Sequence, residues 1–79
     1  MSPDELAKDK KNFSIKLGKA IRQMREQKNL SQEQLADKAG YYRTYIGHIE
    51  TATYSPSTYT LWRIAQALGV DMAEILKKL

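Results

Sequence analysis

Apolar side chains recur at intervals of three and four along most of the chain, and no stretch alternates residue by residue as a half-buried strand would. Phe13, Leu17, Ile21 and Met24, with Ala20 beside them, predict a first helix over residues 12–28. Its other face carries Lys16, Lys19, Arg22, Gln23, Glu26 and Gln27. Leu35, Ala36 and Ala39 mark a short second helix, and Ile46 and Ile49 a third over about 42–52. Leu61, Ile64, Ala65 and Leu68 give a fourth over about 58–68, and Ile75 belongs to a fifth over about 72–78. Tyr41 and Tyr45 support the inward side of the third helix, and Trp62, beside the stripe of the fourth, is read as core. The expected fold is all-α, a compact five-helix bundle over 12–79. It is preceded by residues 1–11 as a flexible N-terminal tail or loose first turn.

The helix boundaries have chemical causes. Ser31 is followed three residues later by Gln34, which makes a capping box, and Leu30 with Leu35 makes the hydrophobic staple that sets the entry angle. Gly40 suits the left-handed residue just past a helix end. A helix this short is unstable in isolation, so packing must hold it. Val70, Asp71, Glu74 and Ile75 repeat the same arrangement after Gly69 ends the fourth helix. Pro56 excludes a helix interior, and Ser57 caps the fourth helix. The third helix is the exception. Tyr42 cannot accept a bond from the backbone amides as Ser or Asp would, so those N–H groups fall to water, another side chain or a bound anion.

Composition narrows the function classes. A core built from 79 residues is marginal, and dimerisation is one source of extra stability. The absence of cysteine excludes disulfides and thiolate metal sites. No apolar run approaches the roughly 20 residues that span a bilayer, and no secretory signal is visible. The expectation is a cytoplasmic protein with no membrane partner and no metal or other cofactor. One histidine, no glycine-rich phosphate loop and no paired acid and base at a recognisable spacing argue against an enzyme. The net charge of +4 permits an anionic partner. That charge is uneven: residues 1–28 hold eight Lys or Arg against four Asp or Glu, whereas residues 29–54 hold only Lys38 and Arg43 against Glu33, Asp37 and Glu50.

Two short helices around a turn containing glycine form a helix-turn-helix signature. Only two isoleucines pin the third helix, and positions 43, 44, 47, 48 and 51 share its free face. In this geometry the second helix of the pair enters the major groove, and residues near its start meet base edges. Arg43 can give two parallel hydrogen bonds to guanine, and Thr44 offers a hydroxyl and a methyl that can touch thymine. His48 can donate or accept. Tyr42 is placed to lie against a thymine methyl or a sugar. Gly47 costs roughly 1 kcal/mol relative to alanine in a helix. It serves either close approach to DNA or close packing on the second helix.

The combination "LSQEQLADKAG…RTYIGHIE…SPSTYTLWRIAQALGVDMAEIL" resembles the xenobiotic-response-element family of helix-turn-helix regulators, which includes phage repressor and Cro proteins, over residues 13–78. "RTYI" at 43–46 is similar, within that family, to controller proteins of restriction–modification systems. The resemblance implies a lambda-repressor-like DNA-binding domain, a homodimer and a two-fold operator on double-stranded DNA. It implies that Gln32 touches a phosphate, that Arg43, Thr44 and His48 read bases, and that Arg25 and Glu50 form a structural ion pair. The sequence departs from the family at Tyr41, at Tyr42 and in the loop "TATYSPS", which lacks the usual glycine and basic residues. Hydroxyls at Thr51, Thr53, Tyr54, Ser55 and Ser57 are candidate replacements for phosphate anchoring, since such groups also bind phosphates. Leu76, Leu79 and Tyr59 are the candidate dimer patch. No small-molecule effector is evident, because 79 residues leave no room for a sensing domain beside the bundle. A second class of function stays open: an adaptor or antitoxin module that keeps the scaffold and binds protein, since fold alone does not fix function.

Overall fold

The computed structural model of the chain describes residues 1–79 as five helices without strands. They are α1 (Pro3–Gln27), α2 (Gln32–Ala39), α3 (Arg43–Glu50), α4 (Thr58–Leu68) and α5 (Met72–Leu76). Every helix contributes to one core, and its centre is Ile21, Leu35, Ile46, Ile49, Ile64 and Ile75. α2 packs on α3 and α4, while α1 crosses α3 and lies against α5.

α1 corrects the reading of residues 1–11 as a tail. Ser2 Oγ accepts from the Glu5 N–H and Glu5 Oε1 accepts from the Ser2 N–H, both at 3.2 Å, so a capping box starts the helix at Pro3. Proline at the first position and two acidic residues in the first turn both suit a helix N-terminus. The resulting rod is about 37 Å long at 1.5 Å per residue, close to the longest molecular dimension of 39 Å. It therefore outruns the bundle. Phe13, expected in the core, is 46 % exposed because no helix lies opposite it, and burial on α1 begins at Ser14 and Leu17.

Gly18 lies where α1 crosses the end of α3. A Cβ there would stand 2.5 Å from the Ile49 carbonyl oxygen and 2.6 Å from that of Glu50. No side chain fits against fixed backbone at those distances, so only glycine allows the approach.

α3 is shorter than expected, with Tyr42 as its extended N-cap and Thr51 as its C-cap. The chain leaves α3 through Ala52, whose φ of 62° is the left-handed conformation usually given to glycine. The Thr53 N–H donates to the His48 carbonyl at 2.8 Å and the Ala52 N–H to that of Ile49 at 3.1 Å, which closes a Schellman-type turn. Lys11 Nζ donates to the Ala52 carbonyl at 2.8 Å and ties the protruding half of α1 to this turn.

α5 likewise stops at Leu76 rather than 78. Trp62 is not core: it is 45 % exposed on the outer side of α4 and stacks on Tyr59 with ring centroids 6.1 Å apart.

Candidate nucleic-acid interface

The α2–turn–α3 unit is assembled from local caps and long-range ties. Ser31 Oγ accepts from the Gln34 N–H at 3.0 Å, and Gln34 Oε1 accepts from the Ser31 N–H at 2.8 Å. At the other end Gly40 adopts φ 85°, and the Arg63 guanidinium from α4 donates to the Ala39 carbonyl at 3.0 and 3.2 Å. Tyr41 then shares a 2.9 Å hydrogen bond with the Thr60 hydroxyl, fixing the turn to α4. Leu35, Ala36 and Ala39 are buried beneath the unit.

α3 has one buried edge, Ile46 and Ile49, and one free face. Arg43, Thr44, His48 and Thr51 are exposed on that face, with Gly47 half-buried between them. Tyr42, at the tip, is 85 % exposed, and no side chain caps the first turn. The Arg43 guanidinium pairs with no carboxylate, because the two ion pairs of the molecule are Arg22–Glu26 and Arg25–Glu50. Gly47 has room for a methyl group, since the atoms nearest a Cβ would be those of the Gln32 amide at 3.7–4.0 Å, an ordinary contact. Packing on α2 therefore does not require glycine at this position.

Behind the free face lies a buried polar network. Arg25 Nε donates to Glu50 Oε2 at 2.7 Å and Arg25 Nη2 to Glu50 Oε1 at 3.1 Å, a bidentate pair. Arg25 Nη1 donates to the Leu30 carbonyl at 2.8 Å, and Gln32 Nε2 donates to Glu50 Oε1 at 3.1 Å. The hydrogen bond to Glu50 raises the Arg25 pKa above its ordinary value, against the opposing cost of burial. A cation whose folded pKa is raised keeps its stabilising contribution below its unfolded pKa and loses it only as pH rises through the folded value. For arginine that window is strongly alkaline. Gln32 Nε2 has two hydrogens, and one remains for a partner outside the protein.

The loop after α3 divides its hydroxyls. Thr51 Oγ1 donates to the Gly47 carbonyl at 3.0 Å and lies 3.0 Å from Thr53 Oγ1. Ser57 Oγ accepts from the Thr60 N–H and donates to Thr60 Oγ1, both at 3.1 Å, capping α4. Tyr54 and Ser55 keep exposed hydroxyls without an internal partner. The Tyr54 ring meets the His48 imidazole nearly edge-on, with centroids 4.9 Å apart at 69°. Tyr59 and Leu76 are exposed elsewhere, on α4 and α5, and Leu79 is half-buried against the core.

Sequence reasoning does not single out two residues that hold this arrangement. A lone glycine inside a strongly periodic helix is the available signal for Gly18. Lys11 gives none, because its bond to Ala52 spans 41 positions of the chain.

Comparison with known proteins agrees with this geometry. Residues 21–75 match the family model described as Helix-turn-helix. The chain is 40 % identical over 60 residues to the immunity repressor protein of Bacillus phage phi105, covering 76 % of the chain but only 42 % of that repressor. It is 39 % identical over 66 residues to control protein C.BamHI of Bacillus amyloliquefaciens, covering 82 % of each. The crystal structure of the restriction-modification controller protein C.AhdI from Aeromonas hydrophila superposes with a TM-score of 0.79 at 33 % identity. That superposition covers 81 % of this chain and 97 % of the other.

Proposed function

The chain belongs to the helix-turn-helix family of transcription regulators, of the type that includes phage repressors and restriction–modification controllers, and from that premise we propose that it binds double-stranded DNA sequence-specifically as a homodimer on a two-fold operator. α3 occupies the major groove. One observation supports this most directly: Ile46 and Ile49 are buried while Arg43, Thr44 and His48 stand exposed on a single face of the same helix.

Arg43 reads guanine through paired donors, Thr44 reads by hydroxyl or methyl, and His48 adds a third base contact. Tyr42 lies against a sugar or a thymine methyl. Gln32 uses its remaining amide hydrogen on a phosphate, and Ser55 and Tyr54 present the unengaged hydroxyls of the next loop to the backbone. Thr51 and Thr53 line the groove but direct hydroxyl hydrogen bonds within the protein. Tyr59, Leu76 and Leu79 belong to the dimer contact, with the stacked Trp62 beside Tyr59. Because so few cations surround α3, the loss of affinity with salt is shallow for a protein of this fold.

In vitro selection of bound duplexes, followed by titration at two salt concentrations, tests the reading. The expected result is a two-fold symmetric site whose binding weakens with salt. No preference over random duplex, or stoichiometric co-purification of a protein covering α3, would replace this reading with the protein-binding module. Arg43→Ala is expected to relax discrimination at one base pair per half-site by about 1–3 kcal/mol with unchanged melting. An unaltered preference would remove Arg43 from the base-reading set.

Gly47 yields a paired measurement. Gly47→Ala is expected to stabilise the fold by up to about 1 kcal/mol, since alanine is the better helix former and the space is open. If α3 approaches DNA closely there, the same variant binds operator more weakly while melting higher. Higher melting with unchanged affinity would place the DNA farther from Gly47.

A further inference from the structure

The loop after α3 folds back onto the helix it has just left. Ala52 turns the chain in the left-handed region, and the Thr53 and Tyr54 N–H groups both donate to the His48 carbonyl, at 2.8 and 3.1 Å. The Lys11 ammonium holds the Ala52 carbonyl from the other side. The turn thus fixes the backbone of Tyr54 against residue 48 and delivers its ring to the imidazole. Tyr54 is in turn 6.1 Å from Tyr45, which is 5.2 Å from Tyr41, itself bonded to Thr60. A continuous aromatic row runs from α4 to His48.

An exposed histidine on a helix ordinarily samples several rotamers. A ring set nearly perpendicular at 4.9 Å restricts that choice, since edge-to-face pairs are geometrically selective. We propose that Tyr54 is a specificity-determining positioning residue: its ring, rather than its hydroxyl, orients the His48 imidazole toward the base edge. This rests on the proposal that His48 reads a base. It differs from a backbone contact by Tyr54 in a measurable way. A lost phosphate contact weakens binding to all duplexes alike, whereas a lost orientation flattens the preference at one base pair.

The test is a double-mutant cycle with the full chain. Duplex probes carry each of the four base pairs at every half-site position, and the proteins are wild type, H48A, Y54A, Y54F and H48A/Y54A. Melting of each variant confirms the fold, which the exposure of both side chains leaves intact. Y54A is expected to reduce discrimination three- to tenfold at the base pair that H48A also affects, and nowhere else. Y54F keeps that discrimination while its affinity falls alike for every duplex with the loss of the backbone-facing hydroxyl, and H48A/Y54A discriminates no worse than H48A. Independent losses in the double variant would overturn the proposal, as would equal losses for Y54F and Y54A, or full discrimination by Y54A where H48A has lost it. If H48A changes no preference while wild-type binding remains selective, base reading by His48 fails and the proposal fails with it.

Discussion

Glu50→Ala is expected to lower unfolding free energy by about 3–5 kcal/mol, because it leaves a guanidinium buried without its counter-charge. The Glu50 carboxylate accepts from Arg25 Nε, Arg25 Nη2 and Gln32 Nε2, and its side chain keeps 2 % of its exposure. Removing it orphans donors on α1 and α2 at once. A small domain has about 5–15 kcal/mol in total, so the loss is a large fraction of its stability. Urea unfolding followed by circular dichroism measures the loss. Arg25→Ala should cost a similar amount, and the double variant less than the two losses added, as residues sharing a contact require. A loss below about 1 kcal/mol would mean that the pair behaves as an exposed one.

Gly18→Val is expected to cost about 3 kcal/mol, at the upper end of what overpacking does. The obstruction is backbone, the Ile49 and Glu50 carbonyl oxygens within 2.6 Å of a Cβ, and backbone cannot rotate aside as a side-chain tip can. Valine would separate α1 from the end of α3 and loosen the Arg25–Glu50 pair between the same two helices. Gly18→Ala should show the smaller form of the effect even though alanine favours helix by about 1 kcal/mol. In a chain of this size each kcal/mol moves the melting temperature by about 4–8 °C, so thermal melting resolves both variants. Melting of Gly18→Ala at or above wild type would show that the crossing relaxes without penalty.

The elements are most legible in the sequence where a chemical signal marks each end. Ser31 with Gln34, Gly40 and Ser57 bound α2 and the start of α4 through local bonds that depend on few neighbours. Ser2 with Glu5 carries the same signal at the head of α1, but no apolar stripe accompanies it, so periodicity alone leaves that turn out of the helix. Periodicity reports which residues share a face, not whether another helix stands opposite. Phe13 satisfies the pattern and Trp62 lies beside it, yet both stand exposed outside the bundle. The free face of α3 is legible because Ile46 and Ile49 define its back. The turn at Ala52 is not, since nothing about alanine announces a left-handed residue, and the bond that holds it comes from Lys11 at the far end of the chain.

α3 is gripped unequally. Gly18, the Arg25–Glu50 pair and the turn at Ala52 all fasten its rear, while no side chain caps its front at Tyr42. It resembles a cantilever: the base bears buried polar and close backbone contacts with α1, and the tip, tied only behind it through the Tyr41–Thr60 bond, projects the exposed side chains of Tyr42, Arg43 and Thr44. Under the proposed function, substitutions at residues 42–44 are expected to change what is recognised while leaving these rear contacts alone.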